Sequence, residues 1–421
     1  MKTNKKYEPE KIQSNILQIV ENCFISENNG NLGAREQAMK DLESLLVETN
    51  EGSYTIKCQD SEETMHTYHG GIKESLEKYV KPSHLIDRDE VTMLDICSGL
   101  GYTAATCIEY LNHPINNGNL PKINIEMVEI SALTLATGLI LPSPIESHKI
   151  IKRAIEDHLY KNGFLTNRLV KQEIPENINI NINIADARTL VMDKPENGSS
   201  VNFFKSHTAK FDAIFLIAFS PFVSPELYSQ EFLSGLKPLL KSEGIFSTFS
   251  NAPMMRYSLV KAGFHIGEGP EFGRSGGTIA SPTLKMIEKP LSMDDERIVA
   301  LTDAGVPLRD LTLDNSRSEI LDRRRFEREK VRGTLKFPST VRCPVYIGRD
   351  LEESRMKRRI LKGLKTLGIN DLNSQEAMYL ICPQYLDCVC GNSCKKIDNS
   401  RDRIIEMEKR LNFLAVNHLP S

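Results

Sequence analysis

Long apolar runs are missing from this sequence. Nowhere in its 421 residues does an apolar stretch approach the ~18 residues of a membrane-spanning helix, so a membrane protein is not expected. The opening stretch, Met1 to Glu10, lacks the apolar core of a secretory signal, which points to the cytoplasm. A strong charge of either sign is missing too: a net charge of -3 carries no global signature of nucleic-acid binding. Cysteine is sparse, nine in all, and in a reducing compartment a disulfide framework is not expected. What is present, 40% hydrophobic and 26% charged residues, is the composition of a globular chain. Its length suits two or three domains.

The most informative stretch runs from Val91 to Leu111. Val91 to Ile96 reads as a buried strand carrying one acid, Asp95, near its end. Ser98-Gly99-Leu100-Gly101 reads as a turn. Tyr102 to Leu111 reads as a helix, with Ala104, Ile108 and Leu111 at helical spacing. Strand, glycine turn and helix make the first unit of a doubly wound sheet, where ligands bind at the carboxyl ends of strands. Gly99 and Gly101 would let a ligand approach the backbone closely.

Two further strands end on acids. Ile123 to Ile130 carries Glu129 near its end, 28 residues after Gly101. Dinucleotide folds place this acid ~20 residues after the glycine motif; the loop His113 to Asn119 accounts for the extra length. A carboxylate there can accept both hydroxyls of a ribose. Ile180 to Arg188 alternates as a third strand ending near Asp186. Between them lies a long crossover with helices expected near 131–140 and 146–162. Phe211 to Pro221 reads as a central strand, Glu231 to Leu240 as a helix, Glu243 to Phe249 as a turn and strand, and Arg256 to Ala262 as a helix. Residues 264–285 read as a glycine-rich hairpin. This order is that of an α/β sheet.

Ahead of the sheet, two apolar stripes predict a helical cap that packs on the main domain: Ile12, Ile16, Ile19 and Val20, then Ala38, Leu42, Leu45 and Leu46. Residues 64–79 hold His66, Tyr68 and His69 before a Gly-Gly pair and a helix from about Ile72, whose first turn carries Glu74. Two histidines three apart without a matching acid or cysteine do not make a metal site; a polar rim over a ligand pocket is expected instead.

Taken together, these stretches resemble the MnmC-like family of class I S-adenosylmethionine-dependent methyltransferases. The resemblance rests on Tyr68 to Ser75, Leu94 to Gly101, Phe211 to Leu216, Ala218-Phe219-Ser220-Pro221, Ser224-Pro225-Glu226-Leu227-Tyr228, Phe272-Gly273-Arg274 and Gly305 to Asp310 through Ser316 to Arg323. It covers about residues 54–330, and the Phe-Ser-Pro…Pro-Glu-Leu-Tyr signature is its most specific part. It implies a Rossmann-like fold using S-adenosyl-L-methionine, with tRNA as partner, since the bacterial founding member methylates the aminomethyl group of a tRNA wobble uridine. It also implies site roles. Asp95, Gly99 and Gly101 would shape the methionine side of the cofactor pocket, Glu129 would hold the ribose, and Asp186 with Ala187 would contact the adenine amine. The family's catalytic aspartate precedes the Phe-Ser-Pro stretch; here that position is Ile217. Ser220, Tyr68, Glu226 and Tyr228 are the polar residues left to take its place. Rival readings are a non-catalytic homologue that binds RNA or protein, or a methyltransferase with a protein or small-molecule acceptor. The longer bacterial fusion carries a flavin-binding oxidase domain that has no counterpart in this sequence, so such a step would fall to a separate oxidoreductase or modification-pathway partner.

The last third is different in character. From Leu321 to Lys365 there are 15 Lys/Arg against 6 Asp/Glu. The runs Arg323-Arg324-Arg325 and Lys357-Arg358-Arg359 read either as a phosphate-backbone patch for RNA or as a solvated, partly paired helix face. Four cysteines, Cys382, Cys388, Cys390 and Cys394, fall within thirteen residues. Four thiolates in one loop can surround a metal, and zinc or an iron–sulfur cluster would suit; the Cys-x-Cys step demands a tight turn around Val389. Arg401 to Leu414 reads as a helix packing on that loop through Ile404, Ile405, Met407, Leu411 and Leu414. The other five cysteines, Cys97 and Cys107 among them, are expected as scattered buried thiols. The chain therefore divides into a helical cap (1–62), a Rossmann-like methyltransferase domain (63–285), a basic helical extension (286–370) and a cysteine-cluster module with its helix (371–421).

Overall fold

The structure, a computed structural model, describes residues 12–59, 61–112, 120–192, 203–273 and 276–418. The expected loop at 113–119 and Arg274 of the Phe-Gly-Arg match lie outside the described residues. Two compact units emerge. The first comprises Met1–Leu227, Pro238–Ser250 and Gly269–Gly277; the second comprises Tyr228–Lys237, Asn251–Glu268 and Thr278–Ser421.

Besides a short antiparallel pair (Val47–Glu48 with Tyr54–Thr55), the first unit contributes five strands to the main sheet: β1 (Glu90–Ile96), β2 (Lys122–Glu129), β3 (Ile178–Ile184), β4 (Phe211–Leu216) and β5 (Leu240–Thr248). These five pair in parallel, in the order β3-β2-β1-β4-β5. The chain therefore winds outward from β1 through β2 to β3, then returns to β4 on the other side of β1. That reversal makes a crevice between the carboxyl ends of β1 and β4, the place where doubly wound sheets bind ligands. Register sets what stands there: Asp95 is level with Met127 of β2 and Phe215 of β4, and Ile96 is level with Leu216. The central strands are apolar because both faces are covered; every residue of β4 is buried.

Helices α1 (Ser14–Asn28), α2 (Ala34–Leu42), α3 (Gly71–Ser75), α4 (Tyr102–Leu111), α5 (Ala132–Ile140), α6 (Glu146–Lys161) and α7 (Phe203–His207) complete this unit. The N-terminal stripes do pack on the main core. Ile16, Val20 and Leu42 join one apolar cluster with Leu135, Leu139 and Ile155, each fully buried aliphatic side chain contributing on the order of 2 kcal/mol. A buried carboxylate pair ties the same face: Arg35 bridges Glu27 (2.7 Å) and Glu156 (2.8 Å). Strand ends differ from expectation where turn chemistry intervenes. The third strand stops at Ile184, because Asp186 turns to cap a 3-10 turn over Ala187–Val191. The fourth stops at Leu216 rather than running to Pro221, because its neighbour β1 ends level with it at Ile96.

The second unit holds α8 (Gln230–Leu236), α9 (Pro253–Lys261), the antiparallel pair β6 (His265–Glu268) and β7 (Thr278–Ser281), then α10 (Met293–Leu301), α11 (Arg317–Val331), α12 (Arg355–Lys365), α13 (Gln375–Ile381) and α14 (Ser400–His418). Helix α11 starts on a capping box, with Ser316 and Glu319 satisfying each other's backbone amides. Within α14, Ile404, Met407, Leu411 and Leu414 are buried, but Ile405 is 42% exposed: one residue along a helix turns the side chain out of the stripe. No described helix is long and apolar enough to cross a membrane.

Candidate functional site

The glycine turn is built to sit flush against the sheet. Cys97 takes a left-handed conformation (φ +63°), which a non-glycine residue adopts at a cost. Its amide and that of Ser98 both donate to the Val128 carbonyl, at 2.9 and 3.1 Å, tying the turn to β2. Gly99 and Gly101 have positive φ as well. A Cβ on Gly101 would stand 2.6 Å from Ile151 Cγ2, and one on Gly99 would stand 3.1 Å from Met65 Cε. Gly101 is thus required by packing below the turn. Gly99 marks where the Met65 side chain lies over the turn.

The three strand-end acids have distinct surroundings. Asp95 is fully buried, and neither carboxylate oxygen meets a donor among the described residues. Burial pushes its acid up to about 7 against a smaller lowering by the nearby Ser98 hydroxyl, with the Glu129 carboxylate adding to the rise. Glu129 is engaged. Its Oε2 accepts from the Gly99 amide (3.1 Å), and its Oε1 accepts from the Ile130 and Ser131 amides (3.0 and 3.2 Å). Burial still raises its acid overall. Three of its roughly four acceptor positions are filled. Asp186 faces Arg188: it accepts from the Arg188 backbone amide (2.9 Å) and pairs with the guanidinium (2.7 Å). Ala187 beside it is buried.

Across the crevice, Ile217 continues β4 by one hydrogen bond, its amide donating to the Ile96 carbonyl at 3.1 Å. Its side chain packs on the first unit's apolar core. Of the polar residues expected to replace an acid there, Tyr68 is 64% exposed and Glu226 lies half-buried in the turn Pro225–Tyr228. Tyr228 is fully buried. Ser220 is held by a residue the sequence reading passed over. Glu63 accepts from the Ser220 hydroxyl through Oε1 (2.5 Å) and from the Ser220 amide through Oε2 (2.9 Å). No local pattern could have paired residues 157 positions apart.

The two histidines do not act together. His66 is buried, packs at a tilt against Tyr102 with ring centroids 5.5 Å apart, and is held below the usual histidine range by burial. His69 packs edge-on against Phe272. Glu74 accepts from the Thr67 amide (2.7 Å), whereas the amides of Ile72 and Lys73 at the start of α3 are satisfied by Glu51. A cavity of about 680 Å³ lies elsewhere, beside edge strand β3, lined by Glu126, Asn181, Asn183 and His207 among others. None of the three strand-end acids lines it.

In the second unit, the four clustered cysteines converge. Successive sulfurs lie 3.9, 3.7 and 3.5 Å apart, and all four fall within 4.8 Å of one another, close enough to hold a metal ion. The tight turning occurs at Gly391 (φ +78°) and Ser393 (φ +49°) rather than at Val389. Of the other five cysteines, four are buried and Cys97 is half-exposed. The basic runs are divided. Arg324 is buried and donates to the Val306 and Ala304 carbonyls (2.7 and 2.9 Å), which removes it from any phosphate patch. Arg323 donates to the Arg309 carbonyl, Arg325 pairs with Asp322, and Lys357 pairs with Glu353. Arg358 and Arg359 are exposed.

Comparisons with known proteins bear on this arrangement. A family model described as S-adenosyl-L-methionine-dependent methyltransferase matches residues 146–282. An uncharacterized protein of Methanocaldococcus jannaschii is 31% identical over 346 residues, which is 81% of this chain and 87% of that protein. The crystal structure of MNMC2 from Aquifex aeolicus superposes with a TM-score of 0.53 at 26% identity, covering 75% of this chain and 99% of that one. The chain belongs to the MnmC-like family of S-adenosylmethionine-dependent methyltransferases. A shorter stretch of this methyltransferase, 67 residues, is 42% identical to the tRNA 5-methylaminomethyl-2-thiouridine biosynthesis bifunctional protein MnmC of Leptospira interrogans. That stretch is 16% of this chain and only 10% of the Leptospira protein.

Proposed function

We propose that this methyltransferase binds S-adenosylmethionine across the carboxyl ends of β1, β2 and β3 and methylates an amine on tRNA, the aminomethyl group of a modified wobble uridine. The observation that carries the cofactor reading is Asp95. Buried polar groups are nearly always paired, so a carboxylate with two orphaned oxygens beside a glycine turn suits a ligand's donors. The residues fit the group: Asp95 would face its methionine end, Glu129 has one acceptor position left for the ribose, and Asp186 with Ala187 would take the adenine edge. When bound, the cofactor supplies an electrophilic methyl on a positively charged sulfur. The protein's part is to orient a neutral nitrogen lone pair in line with that methyl and to take up a proton. The tRNA substrate is supported by the likeness to the Aquifex and Leptospira proteins and by the exposed Arg358 and Arg359. Ile217 supports the rival, a homologue that keeps the cofactor and has lost the chemistry. Incubating the protein with methyl-labelled cofactor and total tRNA separates them: label on RNA is expected, and cofactor binding without label on any acceptor would favour the rival.

We further propose that the four cysteines hold one tetrahedral divalent ion, zinc in preference to an iron–sulfur cluster. A Zn–S bond of about 2.3 Å sets the edge of an S4 tetrahedron at about 3.8 Å, close to the observed sulfur spacings. A four-iron cluster puts each thiolate on a different iron and spreads the sulfurs further apart. Arg410 supports the loop, donating to Cys394 Sγ (3.3 Å) and to the Tyr379 carbonyl (2.7 Å), so it links α14 to α13 and to the thiolates. Metal analysis should find about one zinc per chain, lost in a Cys388→Ser plus Cys390→Ser variant. Equal, near-zero metal in both proteins would end this reading.

A further inference from the structure

We infer that Glu63 supplies the carboxylate that position 217 lacks, and that with Ser220 it forms an anionic seat for the amine that receives the methyl group. This rests on the cofactor reading above and adds the acceptor's chemistry to it.

The argument is positional. The crevice of the sheet lies between β1 and β4, where the winding reverses. Glu63 spans it. On the β1 side, two residues along the chain, Met65 lies over Gly99. On the β4 side, Glu63 grips Ser220, three residues beyond Ile217, whose amide is bonded to the end of β1. A carboxylate is therefore delivered to the loop after β4 from a distant segment, while the strand end itself carries only an apolar side chain. Each Glu63 oxygen accepts one hydrogen bond from Ser220 and keeps a second acceptor position. An amine donating to those positions is held by charge-assisted hydrogen bonds, which are the strong ones. When the nitrogen gains its bond to carbon, the S–C bond breaks with its electron pair left on sulfur, and the proton shed by nitrogen passes to a Glu63 oxygen. Atoms and charge balance without any further reactant. The substrate class that suits this seat is a primary or secondary aliphatic amine, not a hydroxyl or a carbon acid.

The plain alternative is that Glu63 only anchors the loop. The Glu63→Gln variant separates the two roles. A glutamine can still accept from the Ser220 amide and donate to its hydroxyl, so the anchor survives while the charge is removed. The probe is a pair of cofactor analogues, S-adenosylhomocysteine and sinefungin; the latter carries an amine where the cofactor carries its sulfonium methyl. A carboxylate facing the methyl favours sinefungin. Calorimetric titration of the wild-type chain should show that preference, and Glu63→Gln should cut it by about tenfold or more, the worth of one charge-assisted hydrogen bond. Its affinity for S-adenosylhomocysteine should stay within about threefold. Ser220→Ala, which keeps the charge, should keep the preference. An unchanged preference in Glu63→Gln overturns the inference and leaves the cofactor reading intact. Loss of both ligands by a folded Glu63→Gln protein also overturns it, since that marks a loop anchor. Failure of the folded wild type to bind either ligand rejects the cofactor reading, and the inference with it.

Discussion

Two buried aspartates, one in each unit, show opposite ways of living without water. Asp303 in the second unit is fully buried and crowded with donors. Arg328 and Arg332 pair with its Oδ2 at 3.0 and 2.8 Å, and the Ser339 amide donates to its Oδ1 at 2.6 Å. Burial works against its charge, yet these partners win and hold its acid below the usual carboxylate range. Asp95 in the first unit is just as buried and its carboxylate oxygens have no hydrogen-bond partner among the described residues; burial outweighs the lowering influence of the nearby Ser98 hydroxyl, and its acid rises to about 7. Glu408 repeats the first pattern, with Tyr257 at 2.7 Å and Lys336 at 2.8 Å. Paired acids of this kind hold a fold together. An unpaired one stores a cost that only a ligand can recover, and this is why perturbed acids collect at functional sites.

The largest effect expected from breaking this contrast is on stability. Asp303→Ala removes the buried carboxylate that ties together Arg328, Arg332 and the Ser339 amide; because both guanidiniums reach solvent, the loss should be about 2 kcal/mol. The full chain should lose several degrees of thermal midpoint. A loss too small to measure would mean that the Arg328–Asp303–Arg332 cluster contributes little.

Asp95→Asn should behave in the opposite sense. It removes an uncompensated charge, so the unliganded chain should be no less stable at neutral pH, while binding of S-adenosylhomocysteine falls by about tenfold or more. The pH dependence follows from linkage. With its folded acid raised from 3.8 to about 7, wild-type Asp95 keeps its proton in the folded state while the unfolded chain releases it. The wild type therefore loses stability relative to Asp95→Asn as pH climbs from about 4 to about 7, and the difference then levels off. Asp303, with its folded acid lowered, contributes stability above the unfolded carboxylate range that is lost as pH falls through its folded value. Melting curves of the wild type, Asp95→Asn and Asp303→Ala from about pH 2 to about pH 8 read both slopes, that of Asp303 below the unfolded carboxylate range and that of Asp95 above it. Parallel slopes for wild type and Asp95→Asn would place Asp95 among the structural acids.

The same contrast explains what could be read from the sequence. Periodicity and turn residues located β1 to β5 and set Asp95, Glu129 and Asp186 at strand ends, because those signals are local. Their partners are not local. That Glu129 would spend three acceptor positions on its own turn, or that Arg188 would claim Asp186, depends on the path of the backbone after the strand. Glu63 was invisible for the same reason, although it adjoins the histidine-bearing stretch that drew attention. The run Arg323-Arg324-Arg325 misleads through helical geometry: successive side chains on a helix point about 100° apart, so one arginine of three must face inward. Arg324 is that one, and its guanidinium caps the carbonyls of Ala304 and Val306 instead of meeting solvent.

The smallest effect belongs to the basic face that remains. Arg358 and Arg359 are exposed on α12, whereas Lys357 is paired with Glu353. If tRNA phosphates rest on this helix, Arg358→Glu plus Arg359→Glu should weaken tRNA binding several-fold and flatten its salt dependence by about two phosphate contacts. Cofactor binding and thermal midpoint should not move, because surface substitutions away from buried networks usually stay within about 0.5 kcal/mol. Arg324→Gln supplies the control from the paired class. It should lower the midpoint by stranding two buried carbonyls while leaving the salt slope of tRNA binding unchanged. An equal fall in salt slope from both variants would mean that burial does not separate binding arginines from structural ones in this unit.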